Sequence, residues 1–278
     1  MIATYHVHSR WSDGKSSLSE LVAAARAAGL GELGVSDHLA LLPDGSVPRW
    51  SIDPARVGDY AADVRSFMGK GGLRVRLGIE MDWFEGRGGA IRATLRRHAF
   101  DYAIGSVHYI DPAAPNIDAD PSFWESKPRA ELDEGLRGYW RLVREMADSR
   151  LFQVAGHLDL PKKFGYESRA DLGPLIAEAV DAVARAGMVV ELNTSGGHKP
   201  CGEMYPSVNI LRACRERGVP ALLSSDAHTA AHLVRDFGRA CEVLAEAGYS
   251  EVVRLGDEGF VSMPLAEVKA DLKALYRR

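Results

Sequence analysis

Short apolar runs alternate with amphipathic stretches from one end of the chain to the other, the pattern of an α/β protein built from successive strand–helix units. Strands are predicted at 2–7, 32–36, 73–79, 102–107, 152–155, 188–192 and 220–223. Helices are predicted at 17–28, 54–68, 89–98, 129–149, 172–185, 207–217 and 234–247. Gly29 supplies a stop for the first helix, and Pro54 suits the first turn of the second. A weaker pattern at the end predicts strands at 252–255 and 260–262 and a helix over 264–275. Seven strand–helix units with no linker between them predict one barrel domain spanning residues 1–278 rather than two domains.

One stretch breaks the alternation. Residues 110–128 are rich in Pro and Asp, and a loop of that length inside a compact domain predicts an active-site loop or lid.

Composition narrows the class. The chain has 278 residues, 46% hydrophobic and 26% charged, enough to bury a large core. A formal charge of −4 offers no overall basic field, so no nucleic-acid partner is expected. Cys201, Cys214 and Cys241 are widely spaced and odd in number, which predicts neither a zinc knuckle nor a disulfide framework. With no leader-like N-terminus and no apolar run long enough to span a bilayer, a cytoplasmic location is expected.

The chemistry gathers at the strand ends. His6 and His8 lie two apart on the first strand, so both point to one side of the pleat. Asp37 and His38 end the second strand, Glu80 the third, His108 the fourth and His157 the fifth. Asp226 and His228 follow the seventh strand, again two apart, and Asp13 sits in a Ser-Asp-Gly turn just after His8. In α/β folds the C-terminal strand ends converge on one face. Taken singly, an Asp before Gly is a turn residue and a His on a sheet face a packing residue. Six of nine histidines at strand ends, beside three carboxylates, instead predict one multinuclear metal site of the kind that makes a hydrolytic centre. His98 and His232 are expected at the surface or in cap roles.

The order His-x-His…Ser-Asp-Gly, Ser-Asp-His, Gly-Ile-Glu, Ser-Val-His, Gly-His-x-Asp and Ser-Asp-Ala-His resembles the polymerase-and-histidinol-phosphatase (PHP) superfamily over positions 6–228. Longer strings, among them Gly156-His-Leu-Asp and Glu191-Leu-Asn-Thr-Ser-Gly with Lys199-Pro, are similar to its histidinol-phosphatase branch. The resemblance implies a distorted (β/α)7 barrel with three divalent ions, Zn, Mn or Fe, at the strand C-termini. One ion would be held by His6, His8, Glu80 and Asp226; a second would share Glu80 and add His108 and His157. The third would take Asp13, His38 and His228. Asp37 and Asp159 are then expected to fix ring orientation and tautomer.

The activity implied is hydrolysis of L-histidinol phosphate to L-histidinol and phosphate, by attack of a metal-bridging hydroxide. Glu80, Asp13 and His228 are the candidate catalytic residues. No Gly-x-Ser-x-Gly elbow offers a protein nucleophile. Lys162, Lys163, His198 and Lys199, with Arg49 in the second loop, are candidate substrate contacts, although the branch carries Arg where this chain has His198. Trp83, Tyr109, Phe123, Trp124, Glu203 and Tyr205 are candidate pocket walls. Two other classes compete: a PHP phosphoesterase for nucleotides or another small ester, and a nuclease, which the charge balance opposes.

Overall fold

The computed structural model describes residues 1–275 apart from 115, 120 and 167, together with all side chains in that range except that of Phe123. Seven parallel strand positions form a barrel. β1 (Ala3–Thr4) pairs with β2 (Glu32–Val35). β2 and its short continuation β3 (His38–Leu39) both pair with β4 (Arg74–Asp82). The order then runs through β5 (Tyr102–Ser106), β6 (Val154–Ala155), β7 (Val189–Asn193) and β8 (Ala221–Ser224), every neighbour parallel. A parallel bridge between Val7 and Ala227 closes the ring, through His8 N–H to Ala227 O at 2.9 Å and Ala227 N–H to His6 O at 3.2 Å.

Helices α1 (Leu18–Ala27), α2 (Val57–Arg65), α3 (Gly88–His98), α5 (Arg129–Asp148), α6 (Gly173–Ala186), α7 (Val208–Glu216) and α8 (Phe237–Glu246) alternate with the strands, and α4 (Ser122–Glu125) is a single turn inside the long irregular stretch. Apart from α4, the predicted elements are these, most with trimmed ends, while β4 runs on past Glu80, the predicted strand end, to Asp82. α1 begins where the sequence signals it: Ser17 and Glu20 form a reciprocal capping box. The predicted helix from 54 divides into a 3₁₀ turn, Pro54–Arg56, and α2.

Strands buried on both faces explain the near-continuous apolar runs. One apolar layer lies between barrel and helices, including Leu33, Leu77, Tyr139 and Val190. A smaller one fills the barrel interior, where Tyr5 and Tyr102 meet edge to face at 5.5 Å. Tyr102 fits only because Gly78 is bare; a Cβ there would stand 2.2 Å from the tyrosine Cζ. The final segment is not an eighth barrel unit. β9 (Glu251–Leu255) and β10 (Phe260–Pro264) make an antiparallel hairpin that closes the N-terminal end of the barrel, with Leu255 N–H donating to Tyr5 Oη at 2.7 Å, before α9 (Leu265–Leu275). That plug leaves the C-terminal end as the open one. Among the described residues, no helix is long and apolar enough to cross a membrane.

A candidate metal centre at the open end of the barrel

Each strand hands one or two polar groups to the open end. The first strand leaves its ladder after Thr4, and the chain carries His6 and His8 past the rim while Val7 points into the core. Glu80 lies inside β4, wholly shielded, and is the hub. Its Oε2 stands 3.0 Å from His6 Nε2, 3.5 Å from His8 Nε2 and 2.8 Å from His38 Nδ1. Its Oε1 stands 2.9 Å from His157 Nε2 and 3.7 Å from His108 Nε2, and accepts Ser106 Oγ–H at 2.6 Å. Asp226 Oδ1 lies 3.1 Å from His8 Nε2 and 3.7 Å from His6 Nε2. Nearer the mouth, Asp13 Oδ1 is 3.2 Å from His228 Nε2 and 3.8 Å from His38 Nε2. All nine predicted ligands are therefore in one place.

Hydrogen bonding alone does not account for this cluster. His6 Nε2, Glu80 Oε2 and His38 Nδ1 are buried and close to one another, yet none has a hydrogen-bond partner of acceptable geometry. His108 Nε2 and His157 Nε2 face each other at 3.1 Å, so at most one proton can lie between them. Two ligand atoms ~2.1 Å from a shared ion in tetrahedral geometry stand ~3.4 Å apart, and the spacings above bracket that value. Three sets have ligand atoms all within 4.8 Å of one another: His8, Asp13, His38 and His228; His6, His8 and Glu80; and His38, Glu80 and His108. The nitrogen and carboxylate donors fit divalent first-row ions.

Imidazoles and carboxylates here hold each other in the charged form: burial lowers His6, His38 and His108, but the carboxylates beside them raise all three. Burial would raise the Glu80 carboxyl, but His6 and His38 outweigh it and hold Glu80 well below the usual carboxylate range. Burial, aided by His38 and His228, pushes His8 down to about 3. Asp13 is held at about 2: burial raises it, and the bond to His228 with the charge of His38 more than reverses that.

The rings are held by carboxylates not among the sequence-based candidates. Glu191, buried in β7, accepts His6 Nδ1–H at 2.9 Å. Asp82, the last residue of β4, accepts His108 Nδ1–H at 2.9 Å. An ionised carboxylate only accepts, so each proton sits on Nδ1 and Nε2 is turned to the cluster. A signal was present for both: Asp82 is two residues from Glu80 on the same face, and Glu191 is a charge inside an apolar strand, which burial obliges to be paired.

Asp37 and Asp159 do different work from that expected. The Asp37 carboxylate takes Ser9 N–H at 2.7 Å, Ser9 Oγ–H at 2.7 Å and Ser12 Oγ–H at 2.6 Å, pinning the turn that presents Asp13 rather than a ring. Asp159, at φ 75°, pairs with Lys162 at 3.0 Å and touches no imidazole.

A cavity of about 440 Å³ lies over the cluster, the size of a small-molecule site. The irregular stretch forms part of its wall through Asn116, Asp118 and Ala119. It is fastened by Ile117 N–H to His108 O at 2.8 Å and by Lys163 Nζ to Asp118 Oδ2 at 2.9 Å. Of the candidate substrate contacts, Lys163 and Lys199 line the cavity. Lys162 does not: its ammonium is consumed by Asp159, Glu203 at 2.7 Å and Met204 O at 2.9 Å. His198 lies outside too, half-exposed and paired with Asp236. Arg49 is exposed and away from the lining. Tyr205 is a wall, whereas Trp83, Tyr109 and Trp124 are buried elsewhere and Glu203 is spent on Lys162. Trp50, which packs edge-on to His38 at 4.9 Å, and His232 join the lining instead.

A model of the PHP domain matches residues 4–195. A protein of Deinococcus radiodurans named "Probable histidinol-phosphatase" is 37% identical over 237 residues, covering 82% of this chain and 86% of that protein. The "Histidinol-phosphatase" of Bacillus subtilis is 26% identical over 192 residues, covering 64% and 70%. Among solved structures, histidinol phosphate phosphatase of Lactococcus lactis, complexed with Zn, L-histidinol and phosphate, superposes with a TM-score of 0.75 at 21% identity, over 93% of this chain and 98% of that one.

Proposed function

This chain belongs to the PHP domain family, and from that premise we propose that it is a metal-dependent phosphatase, a single PHP-type domain that hydrolyses L-histidinol phosphate to L-histidinol and phosphate. The observation that carries this is the gathering of nine nitrogen and carboxylate ligands, five of them imidazoles directly around Glu80, beneath a cavity sized for a small phosphate ester. The similarity to histidinol-phosphatases, in sequence over most of the chain, selects the substrate. Three divalent ions, of zinc, manganese or iron, fit the donors: the first on His6, His8, Glu80 and Asp226, the second on Glu80, His108 and His157, the third on Asp13, His38 and His228.

Such ions supply Lewis acidity toward the phosphoryl oxygens and bring the pKa of water toward ~7. The chain's own residues do the rest. Glu80 fixes the spacing of the cluster through both carboxylate oxygens. Glu191 and Asp82 keep protons on the far side of His6 and His108. Asp13 and His228 face the departing alkoxide from the mouth rather than the floor: they would hold the third ion there, and where that ion is absent the same 3.2 Å pair could hold a proton for the leaving group instead. Lys199 offers an ammonium to the phosphate from the cavity wall.

The test is phosphate release from L-histidinol phosphate, nucleoside monophosphates and an aryl phosphate by metal-loaded protein, with His6→Ala as control. Strong preference for L-histidinol phosphate, lost in the control, is expected. Equal or faster turnover of the other esters would leave a phosphoesterase of different substrate, and no turnover of any ester would sink the reading.

A further inference from the structure

The hydrophobic pattern predicts a helix from Val234, but α8 begins at Phe237, because Asp236 adopts a left-handed conformation at φ 59°. Arg235 is thereby released from the helix and lines the cavity over the metal centre. Its backbone is held there by Thr194 Oγ–H to Arg235 O at 2.8 Å. The next residue, Asp236, pairs with His198, tying the start of α8 to the turn that presents Lys199. Two loops from neighbouring strands are so clasped together, and each contributes a cation to the same wall.

Among the described residues neither cation is held in an ion pair, although Asp226 and Asp118 are near enough to act on Lys199. Arg235 Nε is shut off from solvent with no hydrogen-bond partner, and Nη1 makes only a 3.4 Å contact with His232 Nδ1. No ion pair forms on Lys199 or Arg235 among the described residues, because the nearby carboxylates are engaged: Asp118 by Lys163 and Asp236 by His198. Asp226 faces His8, Asn193 and Ser195. The Lys199 ammonium is correspondingly pulled below its ordinary range, by burial first and then by Lys163, with Arg235 adding to the repulsion. A guanidinium N–H closed off from water without an acceptor is destabilising, the more so for its charge, and such a group calls for a partner. The planar fork of Arg matches the oxygens of a phosphoryl group in two-pronged fashion.

We propose that Arg235 is a substrate-binding residue that, beside Lys199, grips the non-bridging oxygens of the phosphate, with the His198–Asp236 pair as the clasp that positions it. The inference rests on the phosphatase reading for its substrate but not for its test. Binding of inorganic phosphate to the metal-loaded protein is measured by calorimetry for wild type, Arg235→Ala and Arg235→Lys, together with metal content and, separately, KM for L-histidinol phosphate. Losing a charge-assisted contact of ~1.5–3 kcal/mol predicts phosphate binding weaker by roughly 10- to 100-fold in Arg235→Ala at unchanged metal content. Arg235→Lys should restore only part of it, since a point charge cannot reproduce the fork. Phosphate affinity within twofold of wild type in both variants would overturn the proposal. So would a loss that merely tracks loss of metal. If Arg235→Ala does not fold, the Lys variant decides on the same measure. Should wild type bind phosphate yet hydrolyse no ester, the phosphatase reading fails while the comparison of variants still judges Arg235.

Discussion

Glu191→Gln isolates the contribution of a residue that touches the metal ligands without belonging to them. The wild-type carboxylate is fully buried and accepts four kinds of donor: His6 Nδ1–H at 2.9 Å, Ser224 Oγ–H at 2.7 Å, Asn193 Nδ2–H at 3.1 Å and the His157 backbone N–H. Glutamine has nearly the same shape, so packing is preserved. It carries no charge, and one of its two head atoms becomes a donor facing donors. Either His6 Nδ1 and Ser224 Oγ–H lose their acceptor at Oε2, and with it goes the tautomer that turns His6 Nε2 toward Glu80, or Asn193 Nδ2–H and the His157 backbone N–H lose theirs at Oε1. A charge-assisted bond is worth ~1.5–3 kcal/mol, and a buried donor left unpaired costs ~1–3 kcal/mol. Carboxylates behind metal-bound histidines typically govern metal affinity or activity by about 10- to 100-fold. We therefore expect Glu191→Gln to bind its weakest ion about 10- to 100-fold less tightly in a competitive chelator titration. Activity should be partly recovered at high metal concentration, and the apo protein should retain its circular dichroism. Metal affinity and activity both equal to wild type would refute the idea that Glu191 sets the His6 tautomer. Loss of fold in the apo variant would show instead that the residue acts as a structural bond.

The remaining predictions are simpler to read. Asp82→Asn should act on His108 as Glu191→Gln does on His6, again lowering metal affinity by about 10- to 100-fold; an effect on folding alone would count against it. Stripping metal with a chelator should lower Tm by several degrees, since a ligand at 100 times its Kd stabilises by ~2.7 kcal/mol, and an unchanged Tm would mean that no ion is held in the native state. Gly14→Ala should deplete metal, because a Cβ there would stand 2.3 Å from His8 O and must displace the turn bearing Asp13; normal metal content would contradict this. His198→Ala should raise KM by no more than about fivefold, since a half-exposed pair contributes only ~0–1 kcal/mol, well short of Arg235→Ala.

The strand–helix alternation and the gathering of ligands were legible in the chain because both depend on local rules. A period of two puts His6 beside His8, whatever surrounds them; Asp226 and His228 instead lie beyond the end of β8, where a left-handed turn at Asp226, φ 49°, sets their meeting. Parallel strands joined by helices must deliver their C-terminal ends to one face. Other features depend on residues far apart in sequence. Glu191 and Asp82 acquire their meaning only when β7 and β4 bring them against His6 and His108, 185 and 26 residues away. Lys162 and His198 lie in the right segments, but Asp159, Glu203 and Asp236 compete for them at closer range. Arg235 was hidden by a hydrophobic pattern that begins at Val234, ahead of the real helix start at Phe237, since periodicity cannot register a single left-handed residue at Asp236. The β9–β10 hairpin read as two more strands, and only the filled barrel interior made it a plug. Local periodicity and residue chemistry thus determined the architecture and the identity of the ligands. Which charges are already paired, and which remain free to meet a substrate, was decided by tertiary packing, because a counter-ion is chosen by distance in space and not along the chain.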